Sequence, residues 1–253
     1  MVYSFHKYWS SLNELNWITP LREQYDVPLW MGESGENSNT WFTDAIALFE
    51  ENNIGWAWWT MRKMESINSP YNIPINPGYQ DILDYWKGQG PKPSADESFE
   101  ALMQLAENLL VTNNTFRPDV IDALIRQPNT EETIPYSNQV IPGTIYMSDF
   151  DLGRNGIAYF DVDAANYQQS TGEWQAWNSG WAYRNDGVDI ETNDLVNGNG
   201  YHIGFTHTGE WMNYTVNIEQ SATYALNLHV ASQESGGQFH LSMDGEDLSL
   251  IHI

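Results

Sequence analysis

An α/β segment followed by an all-β sandwich is the architecture the sequence predicts, and three observations predict it. Residues 1–88 alternate short apolar runs with stretches whose apolar residues recur at helical spacing. Residues 89–138 interrupt that rhythm with Gly and Pro and then resume it as helix alone. From about residue 139 the apolar period becomes two, with Gly, Asn and Asp clusters between the runs. Strands separated by a helix of this length lie parallel, and eightfold repetition of such units closes a (β/α)8 TIM barrel. Only about three units fit into residues 1–88, so this segment can form part of such a barrel and cannot close it.

The elements follow in order. Val2-Tyr3-Ser4-Phe5 reads as a strand from the outset, Val27-Pro28-Leu29-Trp30-Met31 as a second and Ile54 to Trp59 as a third, with a helix over Trp41 to Asn52 before the last. Gly88 to Ser98 breaks the pattern and ends on a helix-start signal, with Asp96 or Ser98 as cap, before an amphipathic helix over Phe99 to Leu110. Arg117-Pro118-Asp119 opens a further helix over Val120 to Arg126, which Pro128 and Thr133-Ile134-Pro135 end. Residues 89–138 therefore read as a helical annex or linker. Tyr201 to Phe205, Glu210 to Ile218, Thr223 to Ser232 and Gln238 to Met243 then alternate apolar and polar residues, as the strands of an antiparallel sandwich do.

Composition excludes several classes of partner. A formal charge of -24, from 10 Lys and Arg against 34 Asp and Glu, repels phosphate backbones and anionic headgroups, so neither nucleic acid nor a membrane surface is expected. No apolar run approaches the roughly 18 residues of a membrane span. The sequence has no cysteine, which removes disulfides, thiol nucleophiles and thiolate metal sites. Twelve Trp and 14 Tyr supply flat amphipathic faces that either fill a core or stack on sugar rings. Met1 is not followed by the charged and apolar regions of a signal peptide, and the chain is expected to begin within a domain.

Glu33, in Gly32-Glu33-Ser34-Gly35, directly follows the second strand, where barrel residues face an active site. On position alone it is a nucleophile, a base, a metal ligand or a solvent-facing loop carboxylate. Three segments resemble the end of a glycoside hydrolase family 5 barrel: Phe5-His6-Lys7-Tyr8, Trp30-Met31-Gly32-Glu33-Ser34-Gly35 and Gly55-Trp56-Ala57-Trp58-Trp59-Thr60-Met61. The resemblance implies the last three βα units of the barrel. It makes Glu33 the nucleophile that forms a glycosyl-enzyme intermediate, Tyr8 the phenol hydrogen-bonded to it, His6 its neighbour, and Trp59 the platform beneath the sugar. Trp56 and Trp58 are expected to pack the barrel. The family's acid/base Glu lies in an Asn-Glu-Pro segment after the fourth strand, and this sequence has none. Asn13-Glu14-Leu15 lacks the Pro and is expected in the helix after the first strand, so it is rejected as the acid.

From about residue 141 the sequence resembles carbohydrate-binding module family 6. The matching runs are Gly156-Ile157-Ala158-Tyr159-Phe160-Asp161, Tyr183-Arg184-Asn185-Asp186-Gly187-Val188-Asp189-Ile190-Glu191, and the segment from Gly200 to Val216 containing Gly204-Phe205-Thr206 and Gly209-Glu210-Trp211. The resemblance implies a jelly-roll β-sandwich that holds a sugar between aromatic rings, with Phe205 as one ring and Glu210 as an acceptor for hydroxyls. Trp211 and Tyr214 are expected in the sheet core. A Glu-x-Glu pair that helps bind calcium in that family is replaced by Tyr146-Met147-Ser148, which argues against calcium and leaves Asp149 and Asp151 as the nearest oxygen ligands. The resemblance places the family's second stacking Trp and its final Asn downstream of residue 253, so the module is expected to be truncated at its C-terminus. Leu248 to Ile253 reads as foreign to the frame, of a kind that a translated sequencing adapter gives, with the native frame expected to end at about Asp247.

The function expected is therefore that of a fragment of a secreted, retaining endo-β-glycanase with an appended binding module, monomeric, requiring no cofactor and acting on cellulose or another β-glucan. Residues 1–88 would be the barrel part, 89–138 the annex and 139–253 the module, and the fragment by itself would be inactive for want of the acid/base Glu. The alternatives are a non-catalytic carbohydrate-binding protein and a xylan- or mannan-directed hydrolase; a structural adhesin has no motif in its favour.

Overall fold

The first apolar runs form a parallel sheet, as their spacing predicts. In a computed structural model describing residues 1–12, 14–163, 177–232 and 236–252, β1 (Tyr3–His6), β2 (Leu29–Gly35) and β3 (Gly55–Trp59) lie parallel in that order. They are connected by α1 (Thr19–Tyr25) and α2 (Asn39–Glu51). β2 runs four residues beyond the strand predicted to end at Met31, so Glu33 lies inside the strand. A register shift between Phe5 and His6 sets His6 opposite Glu33. Glu14 and Leu15 precede α1, not within a helix, and Asn13 lies outside the described residues.

Helix α2 explains why the sheet is buried on one side. Trp41, Phe42, Ala45, Ile46 and Phe49 recur along one face and are fully buried against Phe5, Leu29, Met31 and Ile54. Ser38 caps the helix by accepting from the Trp41 amide at 3.2 Å. Trp56 and Trp58 pack against this core, as expected. The close approach of β2 to β3 depends on Gly35, at φ 148, where a Cβ would lie 1.8 Å from the Trp59 carbonyl oxygen. Gly35→Ala is expected to lower stability by about 2–3 kcal/mol and to shift the near-ultraviolet tryptophan signal, both measurable in one thermal melt followed by circular dichroism.

The next elements are β4 (Arg62–Met64), β5 (Tyr71–Ile73), α3 (Pro77–Trp86), α4 (Ala95–Asn108), β6 (Thr115–Phe116) and α5 (Pro118–Ile125). β4, β5 and β6 make a small three-stranded sheet that the periodicity did not reveal, because its strands are only two or three residues long. The cap of α4 is Ser94 in a capping box with Glu97, where Asp96 or Ser98 was expected. The annex is not a spacer: Val120, Ala123 and Leu124 of α5 belong to the same core as α2. The Thr43 hydroxyl of α2 donates to the Ala123 carbonyl at 3.1 Å.

The all-β region is less regular than predicted. Its elements are β7 (Gln139–Ile141), β8 (Tyr159–Phe160), β9 (Ile190–Thr192), β10 (Tyr201–Ile203), β11 (Trp211–Met212), β12 (Val216–Ile218), β13 (Gln238–Met243) and β14 (Glu246–His252). They form antiparallel pairs, β9 with β10, β8 with β11 and β13 with β14. No closed barrel occurs among the described residues. Thr223 to Ser232, expected as a strand, is not one: alternation defines a face, but a strand also needs a neighbour to complete its ladder, and Leu226 and Val230 are exposed. A core of Phe150, Ala158, Tyr159, Val188 and Ile190 nevertheless holds the part between residues 150 and 214 together, with Tyr214 packed on it.

Two units result. Met1–Asn217 is the first and Ile218–Ile253 the second. The divisions expected near residues 88 and 138 do not coincide with a break in packing, because buried polar groups join the segments inside the first unit. Asn39 Nδ2 donates to Asp119 at 2.9 Å and to Asp186 at 3.1 Å. Asp119 also accepts from the Asn185 amide at 2.7 Å, and Asn185 Nδ2 donates to the Asn37 carbonyl at 2.9 Å. Arg184, fully buried, pairs with Asp186 at 2.7 Å and lies 3.5 Å from the centre of the Phe150 ring. In the second unit, β13 and β14 form a hairpin about Asp244-Gly245, both at positive φ, the turn chemistry that a two-residue hairpin requires. The segment from Leu248 to His252 pairs along β13, and Ile253 lies outside the described residues.

Candidate functional site

Two clefts in the first unit carry the predicted site residues. The first is a cavity of about 300 Å³ lined by Tyr8, Trp9, Glu33, Glu36 and Trp59. The Tyr8 hydroxyl donates to Glu33 Oε1 at 2.9 Å. Burial, the hydrogen bond to Glu33 and the charges of Glu33 and Glu36 raise the Tyr8 pKa, so the phenol keeps its proton and remains a donor to the carboxylate. His6 Nδ1 lies 3.8 Å from the same oxygen, beyond direct hydrogen bonding. Trp59 is the last residue of β3 and stands 49% exposed at the cavity. The structure thus brings Tyr8, Glu33 and Trp59 into one cavity, with His6 beside it.

Glu36, Trp9 and Lys63 complete this cleft and escaped the sequence reading. Glu36 is ion-paired with Lys63. Glu36 stands at φ 55, in the left-handed region, just past the end of β2. Its proximity to Glu33 was visible in the sequence; its turn back toward the cavity was not.

The second cleft lies at the ends of β8, β10 and β11. Its base is lined by Phe160, Asp161, Asp189, Thr206, Glu210 and Trp211 and encloses about 10 Å³, room for roughly one water. Phe205, between the lining residues Gly204 and Thr206, is 57% exposed and held at φ 47, a conformation unusual for a bulky residue. Glu210 does more than present a carboxylate: Oε2 accepts from the His207 amide at 2.7 Å and Oε1 from the Val162 amide at 3.5 Å, so it fixes the turn after Phe205. Trp211, expected in the sheet core, is 38% exposed. It pairs across the ladder with Phe160, which is 38% exposed as well.

Acidic groups shape the electrostatics of this cleft. Burial pushes the Asp161 carboxyl up to about 7, helped by Glu210, Asp189 and Asp163 and opposed by the Asp163 amide. Burial also raises Asp189. For a carboxyl raised in the folded state, stability is fully present below the unfolded pKa of 3.8 and is lost as pH rises through about 7. Asp161→Asn is therefore expected to leave stability near pH 4 unchanged and to raise it by about 1 kcal/mol at pH 8, solvent screening at the open cleft reducing the full linkage value. Urea unfolding at the two pH values measures it.

Asp149 and Asp151, the nearest oxygen ligands for a cation, are both engaged in hydrogen bonds. Asp149 accepts from the Tyr183 hydroxyl at 2.7 Å and the Ser137 hydroxyl at 3.1 Å. Asp151 accepts from the Thr215 amide at 2.8 Å and the Thr215 hydroxyl at 2.6 Å. Their oxygens already serve the fold, and among the described residues no three acidic or His side chains converge on a cation position.

A surface-exposed aromatic ring beside hydrogen-bonding carboxylates is the arrangement of a sugar-recognising protein, and comparison with known families agrees over this region. Residues 180–252 match the family model of the carbohydrate binding module (family 6). The match contains Phe205, Glu210 and the acidic base of the second cleft at Asp189, and it supports carbohydrate binding. It does not extend to the cleft around Glu33. No curated protein matches the chain.

Proposed function

We propose that the protein binds a neutral β-linked polysaccharide through the Phe205 cleft. The observation that carries this reading is the exposed Phe205 ring, held in a left-handed backbone conformation next to a cleft lined by Asp161, Asp189 and Glu210; Phe205, Asp189 and Glu210 lie within the region matching the binding module. An enclosed volume of about 10 Å³ is too small for a sugar, so the ring would lie across the rim, on Phe205, with its hydroxyls donating to the carboxylates below. Affinity electrophoresis on soluble cellulose derivatives, mixed-linkage β-glucan and xylan tests this. Phe205→Ala is expected to weaken retardation on the preferred polymer about tenfold, and unchanged retardation removes Phe205 from the site.

A second reading rests on the Tyr8 to Glu33 hydrogen bond beside Trp59. Glu33 would act as the nucleophile of a retaining β-glycanase, with Tyr8 holding the carboxylate and Trp59 under the sugar. Retention needs a second carboxyl group about 5 Å away, and the sequence has no Asn-Glu-Pro segment to supply the acid/base of the family it resembles. Hydrolysis is thus expected only from a polypeptide that adds that group, and in it Glu33→Gln would lower kcat by about a thousandfold or more, read as reducing-end release. In that setting the module raises the enzyme's local concentration on an insoluble polymer, in the extracellular space where such polymers occur. Cellulose or another β-glucan is the first substrate to try, with xylan and mannan next.

A further inference from the structure

Trp9 stands in the wall of the Glu33 cleft without an assigned role, and the chain spends stability to put it there. Two residues earlier Lys7 is buried, its pKa lowered by that burial, with Nζ donating to the Ser10 hydroxyl and the Ser11 carbonyl at 2.7 Å each. Trp9 is 40% exposed. Burial preference alone would place the indole inside and the ammonium outside. The Trp9 backbone is also left-handed, at φ 44, which a bulky residue adopts only at a cost of about 1 kcal/mol or more.

Several contacts hold the ring in this orientation. Its Nε1 donates to the Glu36 carbonyl at 3.0 Å, and Glu36 is itself left-handed and ion-paired with Lys63. The indole also meets the Tyr8 ring edge to face at 5.9 Å. Trp9 is thus packed against Tyr8, the donor of the cleft's central hydrogen bond, on one side and tied to the Glu36 backbone on the other. The cavity these residues line, about 300 Å³, is at the lower end of the range for small-molecule sites.

We propose that Trp9 is a second carbohydrate platform, holding the sugar unit adjacent to the one above Trp59 in the Glu33 cleft. The inference rests on reading that cleft as a carbohydrate site. The ligand class follows from the charges: Glu33 and Glu36 both line the cavity, and Lys63 is ion-paired with Glu36 and not with Glu33. A neutral β-linked oligosaccharide of two or more units is favoured, and one bearing uronic acid is repelled.

The test uses the whole chain with Phe205→Ala, so that the other cleft does not contribute, titrated calorimetrically with cellotetraose, xylotetraose and a glucuronic-acid-substituted xylotetraose. Trp9→Ala is expected to weaken binding of the preferred neutral tetraose about tenfold while leaving the melting temperature near that of the parent, because the ring is not in the core. Trp9→Phe, which keeps a flat apolar face, is expected to recover most of the affinity, and the uronate-bearing ligand to bind about tenfold more weakly than its neutral counterpart. If Trp59→Ala abolishes binding while Trp9→Ala leaves it unchanged, the Trp9 platform is refuted and the carbohydrate reading of the cleft stands. If the parent chain binds none of the three ligands, both are refuted.

Discussion

Arg184→Met is expected to destabilise the protein by about 3–5 kcal/mol, seen as a lower urea midpoint for the unfolding of the first unit. Arg184 is fully buried and its guanidinium makes four kinds of contact at once. It pairs with Asp186, donates to the carbonyls of Phe150 and Asp151, and stacks over the Phe150 ring, with the Tyr136 ring centre 4.8 Å away. Burial opposes its charge, but Asp186 and Asp119 outweigh burial and leave the Arg184 pKa above its usual value. Met can fill much of the space without meeting any of these acceptors. The loss comes mainly from what is left behind: Asp186 becomes a buried carboxylate without a cation, next to Asp119, which shares the Asn39 donor with it. The double change Arg184→Met with Asp186→Leu is therefore expected to recover part of the loss. A double variant less stable than Arg184→Met alone would show that the cost lies in packing and not in the unpaired charge.

Trp41→Ala is expected to cost about 3–5 kcal/mol and also to impair the Glu33 cleft. Trp41 is fully buried in α2, packed edge to face with Phe42 and tilted against Trp58. Its indole Nε1 donates to the Ser10 carbonyl at 3.1 Å. Ser10 also receives the Lys7 ammonium, and the segment between them carries Tyr8 and Trp9. Removing the indole empties core volume and releases that segment together. Denaturant unfolding measures the first effect. Oligosaccharide titration of the cleft measures the second, with binding at Phe205 as the internal reference; Trp41→Phe separates them, since it keeps most of the volume and loses only the bond to Ser10, for about 1 kcal/mol.

Much of the candidate site was legible because the relevant residues sit where local pattern is strong. Glu33 follows an apolar run, and the parallel sheet then places it beside His6 and Tyr8 through the register of β1 on β2. Phe205 and Glu210 came from the resemblance to the binding-module family, and Glu210 lines the second cleft while Phe205 stands between two of its lining residues. The misses have physical causes. Trp211 was read as core from alternation, but alternation specifies only two faces and not which of them receives a second layer. The hydrogen bonds that Asp149 and Asp151 accept from Tyr183, Ser137 and Thr215 could not be read either, because those partners lie 12 or more residues away along the chain.

Legible in the sequence alone were the β-α-β rhythm of residues 1–88, the change of period near residue 139, the strongly acidic composition, and the short motifs whose family resemblance points to Tyr8, Glu33, Trp59, Phe205 and Glu210. These depend on composition and on neighbours a few residues apart. Only the tertiary structure decided that α5 completes the core of α2, that Asn39, Asp119, Asn185 and Asp186 join segments expected to be separate, and that Lys7 goes inside while Trp9 stays out. A buried Asp or Lys reads in sequence just like a solvated one. Its partner is chosen by contacts between residues far apart along the chain, and those exist only once the backbone has brought them together.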